Sequence, residues 1–359
     1  MSRSPLLRRL LYPAYKSLET SVHPLRYLFV EITQRCNLAC RHCGSDCTRD
    51  SRLDELSADE WLRFLDALPA RIDRRQLALV VTGGEPFCAP HLDAILDGLQ
   101  RNQLQWGMVT NGYALTDRNL HKALAHGLMS MTVSLDGLRD RHDWLRGVDG
   151  SFERAVDGIR RVVTAGLPFF DVVTCVHPGN LEQLPALREL LRELGVRAWR
   201  LFCIFPKGRA AQDRQLLLDD AGQRQLFEWI AEQRAQLDDR ELCVQFSCEG
   251  FLPRHIDRAV RREPYFCRAG ISIASVLADG SISGCPNIDR SLVQGNIRCD
   301  DFFEVWDKRF APFRDRAWMQ QGQCDGCAEF SGCQGNSLHL YDAEARDTAR
   351  CFVKSLTST

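Results

Sequence analysis

The sequence predicts an α/β fold built on a mainly parallel sheet, followed by a small, irregular, cysteine-bearing region. Two observations carry this. From residue 26 to about 237, short apolar, β-branched runs alternate with amphipathic stretches of helical length, the mark of repeated β-α units. After about residue 240 the pattern breaks into short segments rich in Gly and Pro that hold more than half of the sixteen cysteines. Segments of that kind need a metal or another staple to be stable. Six β-α repeats are too few for a closed eight-fold barrel, so a partial barrel or an open twisted sheet is expected.

The units can be taken in turn. The first strand candidate, 26–33, runs directly into a cysteine-rich loop. A helix is expected to open at Ser57, with Asp59 and Glu60 in its first turn, where negative charge meets the positive end of the helix dipole. The remaining strand candidates are 77–82, 105–110, 129–135, 169–176 and 197–205, and the helices are 90–102, 116–126, 151–166, 181–194 and 219–237. In such folds functional residues sit where strands end and loops begin. The first 25 residues set Arg3, Arg8, Arg9 and Lys16 against Glu19. They read as a surface helix leading into the fold, with a membrane-surface or partner contact as the alternative. The expected organisation is a basic segment over 1–25, a core over 26–240 and a cysteine-bearing region over 241–359.

Composition excludes several classes of function. With 46 Lys and Arg against 47 Asp and Glu the net charge is −1, so no global field attracts nucleic acid or a membrane. Hydrophobic content of 45% and charged content of 26% are ordinary for a soluble globular chain. No apolar stretch is long enough to cross a bilayer. The run after Arg9 ends at Pro13, too short for a secretory signal. The cysteines are too sparse for a disulfide scaffold and read as thiols in a reducing cytoplasm.

The densest chemical signal is the trio Cys36, Cys40 and Cys43, spaced C-x3-C-x2-C. Three thiolates on one short loop hold three irons of a cubane cluster and leave the fourth open to an exogenous ligand. Cys47 would close a C-x3-C-x2-C-x3-C run able to fill every iron. Spacing leaves that ferredoxin-like arrangement open, and zinc is a further alternative. The second strand candidate ends in Val81-Thr-Gly-Gly-Glu-Pro86. Gly83 and Gly84 permit close backbone approach to a ligand, and Glu85 can accept from an ammonium group.

These two segments, in this order, resemble the signature of the radical S-adenosylmethionine (radical SAM) enzymes, whose core is a partial (β/α)6 barrel. The resemblance implies a [4Fe-4S] cluster on Cys36, Cys40 and Cys43 whose open iron chelates SAM. It implies reductive cleavage of SAM to a 5'-deoxyadenosyl radical and hydrogen abstraction from a substrate. By the same resemblance Gly83, Gly84, Glu85 and Pro86 bind the cofactor's amino group, while Asn111, Ser134 and Asp136 lie around its methionyl carboxylate and ribose. Asn180 and Arg209, in Pro178-Gly-Asn180 and Pro206-Lys-Gly-Arg-Ala210, would help hold ribose and adenine. His42 stands where the family has an aromatic residue beside adenine. Asn-Gly and Asp-Gly are also common turn formers, and a surface-loop histidine is the plain alternative for His42.

The C-terminal half carries a second resemblance. Cys267, Gly280-x4-Cys285, Cys324-x2-Cys327-x5-Cys333 and Cys351 look like the SPASM extension of radical SAM enzymes, which carries auxiliary iron-sulfur clusters. The resemblance implies one cluster on Cys324, Cys327, Cys333 and Cys351, and a second site at Cys267 and Cys285. At the second site Ser337 stands where a cysteine is usual, so that cluster is absent or recruits Cys248, Cys299, Ser337 or a substrate group. Structural zinc is the alternative for the four-cysteine set. Cys88, Cys175, Cys203 and Cys243 read as buried apolar residues. Cys203 becomes a hydrogen-atom donor if it faces the barrel interior. Asp289 is a candidate general base, with ordinary turn chemistry as the alternative.

The expected activity is therefore that of a radical SAM oxidoreductase or maturase acting on a peptide or protein. Its expected cofactors are SAM, a core [4Fe-4S] cluster and at least one auxiliary cluster, with flavodoxin or ferredoxin as electron donor. A radical SAM enzyme acting on a small molecule in cofactor or haem biosynthesis is the alternative. A non-catalytic electron carrier or zinc-stabilised binding protein is the reading from another class. A leader of 25 residues is shorter than the separate peptide-recognition domain of many peptide maturases, so recognition is expected at the barrel mouth or through a partner.

Overall fold

The computed structural model describes residues 5–236, 241–247 and 249–357. Every expected strand forms, within two residues of its sequence boundaries: β1 (Tyr27–Glu31), β2 (Ala78–Thr82), β3 (Gln105–Thr110), β4 (Leu128–Ser134), β5 (Phe169–Val176) and β6 (Ala198–Cys203). The helices up to residue 236 are α1 (Pro5–Val22), α2 (Ala58–Ala67), α3 (Leu92–Arg101), α4 (Asp117–Ala125), α5 (Arg139–Arg146), α6 (Ser151–Ala165), α7 (Leu184–Glu193) and α8 (Asp220–Gln236), and five short ones follow among the described residues. The expected end of the last helix, residue 237, lies outside the described residues. At Ser57 a full capping box forms: Ser57 Oγ accepts from Glu60 N and Glu60 Oε2 accepts from Ser57 N. This satisfies two otherwise orphaned donors.

β1 to β6 pair in parallel in chain order. Beyond them, β7 (Cys243–Phe246) adds in parallel to β6, and β8 (Ile273–Val276) adds in parallel to the free side of β1. β9 (Ser281–Ser283) and β10 (Gly295–Asn296) continue antiparallel. The sheet therefore has ten strands with β10 and β7 at its ends, an open barrel as the repeat count requires. The chain after residue 240 is thus stitched into the edges of the same sheet.

Alternation along the strands separates two faces. Leu79, Val81, Trp106, Met108, Val133, Val172, Trp199 and Leu201 are buried against the helices, with Trp199 edge-on to Trp229 of α8. The opposite face lines the lumen and mixes apolar residues, among them Phe29, Val80, Val109, Val173 and Phe202, with a polar set. There Thr132 donates to Asp171 (2.6 Å) and accepts from Arg200 (3.2 Å), which also pairs with Asp171, across β4, β5 and β6.

Sequence periodicity gave no warning of α5, Arg-Asp-Arg-His-Asp-Trp-Leu-Arg, which has no apolar stripe. Gly147 closes it in the left-handed region (φ 69°). Asp143 also accepts from the backbone of Gly150 and Phe152. The basic segment is held as α1 against the C-terminal region: Tyr12 packs with Phe266 and Ile271, and Lys16 Nζ donates to Gly332 O (3.0 Å). Arg3 lies outside the described residues. No helix among the described residues is long and apolar enough to cross a membrane.

Candidate iron-sulfur and cofactor site

The cysteine loop begins two residues past the end of β1's hydrogen bonding and is seated on the turn after β2. Gly84 N donates to Thr33 O (2.8 Å) and Glu85 N to Arg35 O (2.9 Å). A Cβ on Gly83 would stand 2.3 Å from Thr33 O, and one on Gly84 2.4 Å from Arg35 O. The close approach these glycines permit is thus made by the protein's own loop. That loop positions Cys36.

Cys36, Cys40, Cys43 and Cys47 form a small cluster of their own with Leu38. Each sulfur of the trio meets a donor. Asn111 Nδ2 lies 3.7 Å from Cys36 Sγ, Arg146 Nη1 3.7 Å from Cys40 Sγ, and Cys47 N 3.4 Å from Cys43 Sγ. Hydrogen bonding from the Cys47 thiol, outweighing burial, brings Cys43 down to about 6, whereas burial pushes Cys36 up to about 12. Cys47 is itself held protonated by that bond to Cys43, and its thiol reaches the Ser45 carbonyl (3.9 Å). Three converging thiols, each facing a donor, suit an anionic iron-sulfur cluster. Nearby, Glu31 Oε1 and His42 Nδ1 are buried without a hydrogen-bond partner among the described residues, which suits a polar ligand at the mouth.

Further residues named from the sequence gather at the same C-terminal rim. Glu85 is fully buried and accepts from Thr110 Oγ1 (2.8 and 3.0 Å), Asn111 N (2.8 Å) and Phe87 N (3.3 Å). Burial, against those bonds, raises it to about 7. Its carboxylate latches the end of β3, so the acceptor it offers an ammonium group is already largely engaged. Pro86 opens the short turn that follows. Asn180 donates to Asp136 O (2.6 Å) and Cys175 O (2.9 Å) and accepts from His177 N, joining the ends of β4 and β5. Arg209 clamps the cysteine loop through Cys40 O (2.7 Å), Cys47 O (2.9 Å) and Asp46 (2.8 Å). Gly208 beside it has φ +55°, and a Cβ there would meet Cys43 O at 2.3 Å. Ser134 stands on the lumen face at the end of β4.

Asp136 is completely buried and pairs with Arg146 (2.6 Å). Burial alone would raise this carboxyl, but Arg146 and the neighbouring histidines outweigh it and hold it low. His42 is not a surface-loop histidine: it lies in this cluster, 4.0 Å from Asp136, and burial lowers it to about 3. The ligand atoms of His42, Asp136 and Cys175 fall within 4.8 Å of one another.

Other sequence expectations need correction. Cys175 is only partly a core thiol: it packs against the apolar cluster of Leu145, Ile204, Ala210 and Leu216 but lies on the lumen side of β5 beside Asp136, whose Oδ1 accepts from Cys175 N (2.8 Å). Cys203 alternates with Trp199 and Leu201 on the helix-facing side of β6, so the interior placement required of a hydrogen-atom donor is not met. Asp289 pairs with Lys207 (3.0 Å) and caps Ser291. Those bonds, against burial, keep it below the ordinary carboxylate range, which makes it a poor proton acceptor. Residues missed by the sequence reading are Arg146, Glu31 and His339. A charged residue at a lumen position of a strand was the available signal for Glu31.

In the C-terminal region Cys324, Cys327, Cys333 and Cys351 line one small cavity with Phe251, Phe330 and Phe352. Cys267 and Cys285 lie apart from it, near Ser337 and His339. Cys299 is exposed and directs its thiol to Asn296 O and Asp300, away from either set. Cys248 lies outside the described residues.

Comparison with known proteins agrees with this geometry. A profile of the radical SAM superfamily matches residues 30–191, and one of an iron-sulfur cluster-binding domain, SPASM, matches residues 267–328. The AdoMet-dependent heme synthase of Methanosarcina barkeri is 29% identical over 337 residues, spanning 89% of this chain and 93% of that protein. Mycofactocin maturase MftC of Mycolicibacterium smegmatis is 29% identical over 317 residues, 86% of this chain and 76% of the relative. Streptococcus suis SuiB bound to precursor peptide SuiA shares the fold, with a TM-score of 0.70 at 17% identity over 97% of this chain and 80% of that one. The cofactors of this family are SAM with a [4Fe-4S] cluster, and its SPASM domain holds auxiliary iron-sulfur clusters. The chain is a radical SAM enzyme, a member of that superfamily with a C-terminal SPASM domain.

Proposed function

We propose that the enzyme oxidises a peptide or protein side chain bound at the barrel mouth. The observation that carries this reading is the polar set Thr132, Asp171 and Arg200, hydrogen-bonded across three strands of the lumen wall. Such a wall matches a substrate rich in amide donors and acceptors better than a flat macrocycle, which needs broad apolar walls. In this reading Cys36, Cys40 and Cys43 hold the core cluster, and SAM lies along Gly83 to Pro86, Asn111, Ser134, Asp136 and Asn180, with His42 beside its adenine. Cys324, Cys327, Cys333 and Cys351 hold an auxiliary cluster within a region over 241–359. A [4Fe-4S] cluster held by Cys36, Cys40 and Cys43 would supply the electron for reductive cleavage of SAM, with a flavodoxin or ferredoxin as its donor. The protein's part is to seat the cysteine loop on Gly83 and Gly84, to brace it with Arg146 and Arg209, and to keep the mouth buried so that water is excluded.

A second reading has one specific support. The end-to-end match to an AdoMet-dependent heme synthase, 93% of that protein, favours a tetrapyrrole substrate.

The test is anaerobic turnover of the reduced, reconstituted enzyme with SAM. One arm supplies short peptides encoded beside its gene, and the other a panel of carboxylate-bearing iron tetrapyrroles. Substrate-dependent 5'-deoxyadenosine and a mass change in a peptide support the proposal. The same pair of signals with a tetrapyrrole alone overturns it in favour of the second reading.

A further inference from the structure

The site at Cys267 and Cys285 lacks a third cysteine, yet a third donor is present. His339 Nε2 lies 3.3 Å from Cys285 Sγ. The other ring nitrogen, Nδ1, lies 3.0 Å from Ser337 Oγ, and the ring is stacked on Phe205 with centroids 5.3 Å apart. Cys267 stands beside the same turn: Arg316 donates to Cys267 O (3.4 Å) and to Asn336 O (3.2 Å), and Leu338, the residue before His339, borders the Cys267 thiol. Cys267 and Cys285 thus both border the short turn Leu338–Leu340.

This is the arrangement expected of a metal-bound imidazole. A ligating histidine has its second nitrogen fixed by a hydrogen-bond acceptor, which selects the tautomer and aims the free lone pair at the metal. Ser337 is placed to do this at Nδ1. Its hydroxyl is itself the residue that stands in the usual cysteine position, so loss of the thiol and supply of a nitrogen donor occur within one turn. Cys299 points elsewhere and offers no competing ligand among the described residues. Imidazole is a competent iron-sulfur ligand, and replacing thiolate by imidazole raises a cluster's reduction potential.

We infer that His339 Nε2, together with Cys267 and Cys285, ligates the auxiliary iron-sulfur group at this second site, with Ser337 positioning the ring. The chemistry is an oxidised-reduced iron-sulfur couple with one nitrogen ligand, distinct from the four-thiolate set at Cys324, Cys327, Cys333 and Cys351. It stands or falls independently of which substrate the enzyme takes.

The test uses the full chain, purified without oxygen and reduced with dithionite, with no SAM present, because the amine of SAM is itself a nitrogen donor to the core cluster. Pulsed electron paramagnetic resonance should show a strong nitrogen coupling from directly bound imidazole in the wild type. His339→Ala and Cys285→Ala should each abolish it and lower the iron and sulfide content. His339→Cys should keep the metal content, lose the nitrogen coupling and shift that cluster to a lower potential, a combination that a merely structural role for the ring would not produce. A nitrogen coupling that survives His339→Ala overturns the assignment. So does an iron and sulfide content unchanged in Cys267→Ala and Cys285→Ala, which would mean that His339 and Cys285 form a plain hydrogen bond with no cluster.

Discussion

The guanidinium of Arg146 lies 2.6 Å from Asp136 Oδ2 while its other amino group stands 3.7 Å from Cys40 Sγ. One side chain at the end of α5 thereby ties the cluster loop to the end of β4. Burial works against its charge, but Asp136 and Cys40 hold the proton on Arg146 more firmly than usual. Replacing Arg146 with Leu leaves Asp136 buried without its cation, and breaking such a pair costs about 3–5 kcal/mol. The expected result is a lower denaturation midpoint and poor retention of core iron. Arg146→Lys should fall between, since a point charge cannot reach both partners at once. Denaturant titration and iron analysis of protein purified without oxygen check this. A stable Arg146→Leu variant with full iron would sink it.

Cys47 separates two readings of the cysteine loop. Its backbone and thiol serve Cys43 as hydrogen-bond donors, a role that shapes the thiolate without binding iron. Cys47→Ser should therefore retain the core cluster and cleave SAM, with an altered cluster potential. Cys40→Ala should lose both core iron and 5'-deoxyadenosine formation. If Cys47→Ser loses the core cluster as completely as Cys40→Ala, Cys47 is a fourth ligand.

At the four-cysteine cavity, Cys351 approaches from the far end of the chain and joins the turn of Cys324, Cys327 and Cys333. Metal binding at such a site supplies folding energy to short irregular segments. Cys351→Ala should lose about four irons per chain, the content of one cubane cluster. It should also unfold at lower temperature than the wild type while still binding SAM at the core. Zinc in place of iron at this site, found by metal analysis of the wild type, would contradict the cluster assignment.

The strands were legible because apolar, β-branched runs such as Leu79 to Val81 and Val172 to Val176 set alternate residues, Leu79, Val81, Val172 and Val176, under the same helices whose periodicity flanks them. The cysteine spacing was legible because iron fixes the ligand distances. Other features were hidden for physical reasons. α5 is mostly charged, with its apolar residues confined to the adjacent pair Trp144 and Leu145, so no apolar period marks it; Leu145 anchors it against Ile204, Ala210 and Leu216, and Gly147 closes it. Which face of a strand looks inward depends on register, and that decided the opposite fates of Cys175 and Cys203. His339 is brought to Cys285 across 54 residues, a meeting no local pattern encodes.

Glu31 gives a pH signature of the lumen. It stands at the inward end of β1, 3% exposed. Burial chiefly, with Asp279 and Cys43 adding and Arg290 opposing, pushes its carboxyl from 4.5 up to about 8. Between those values the folded chain keeps a proton that the unfolded chain has released. The folded state is therefore undiminished below about pH 4.5 and loses stability as pH rises, by up to about 1.4 kcal/mol per unit, until the carboxyl ionises in the fold near pH 8. Above that the loss is complete and constant. Gln at this position keeps the shape and a hydrogen-bond donor but does not titrate. Glu31→Gln should thus match the wild type closely at pH 5 and exceed it in thermal midpoint by a growing margin up to pH 8. Midpoints of the two full chains at pH 5, 6.5 and 8 decide it: a difference that does not change with pH means that Glu31 is already ionised in the fold.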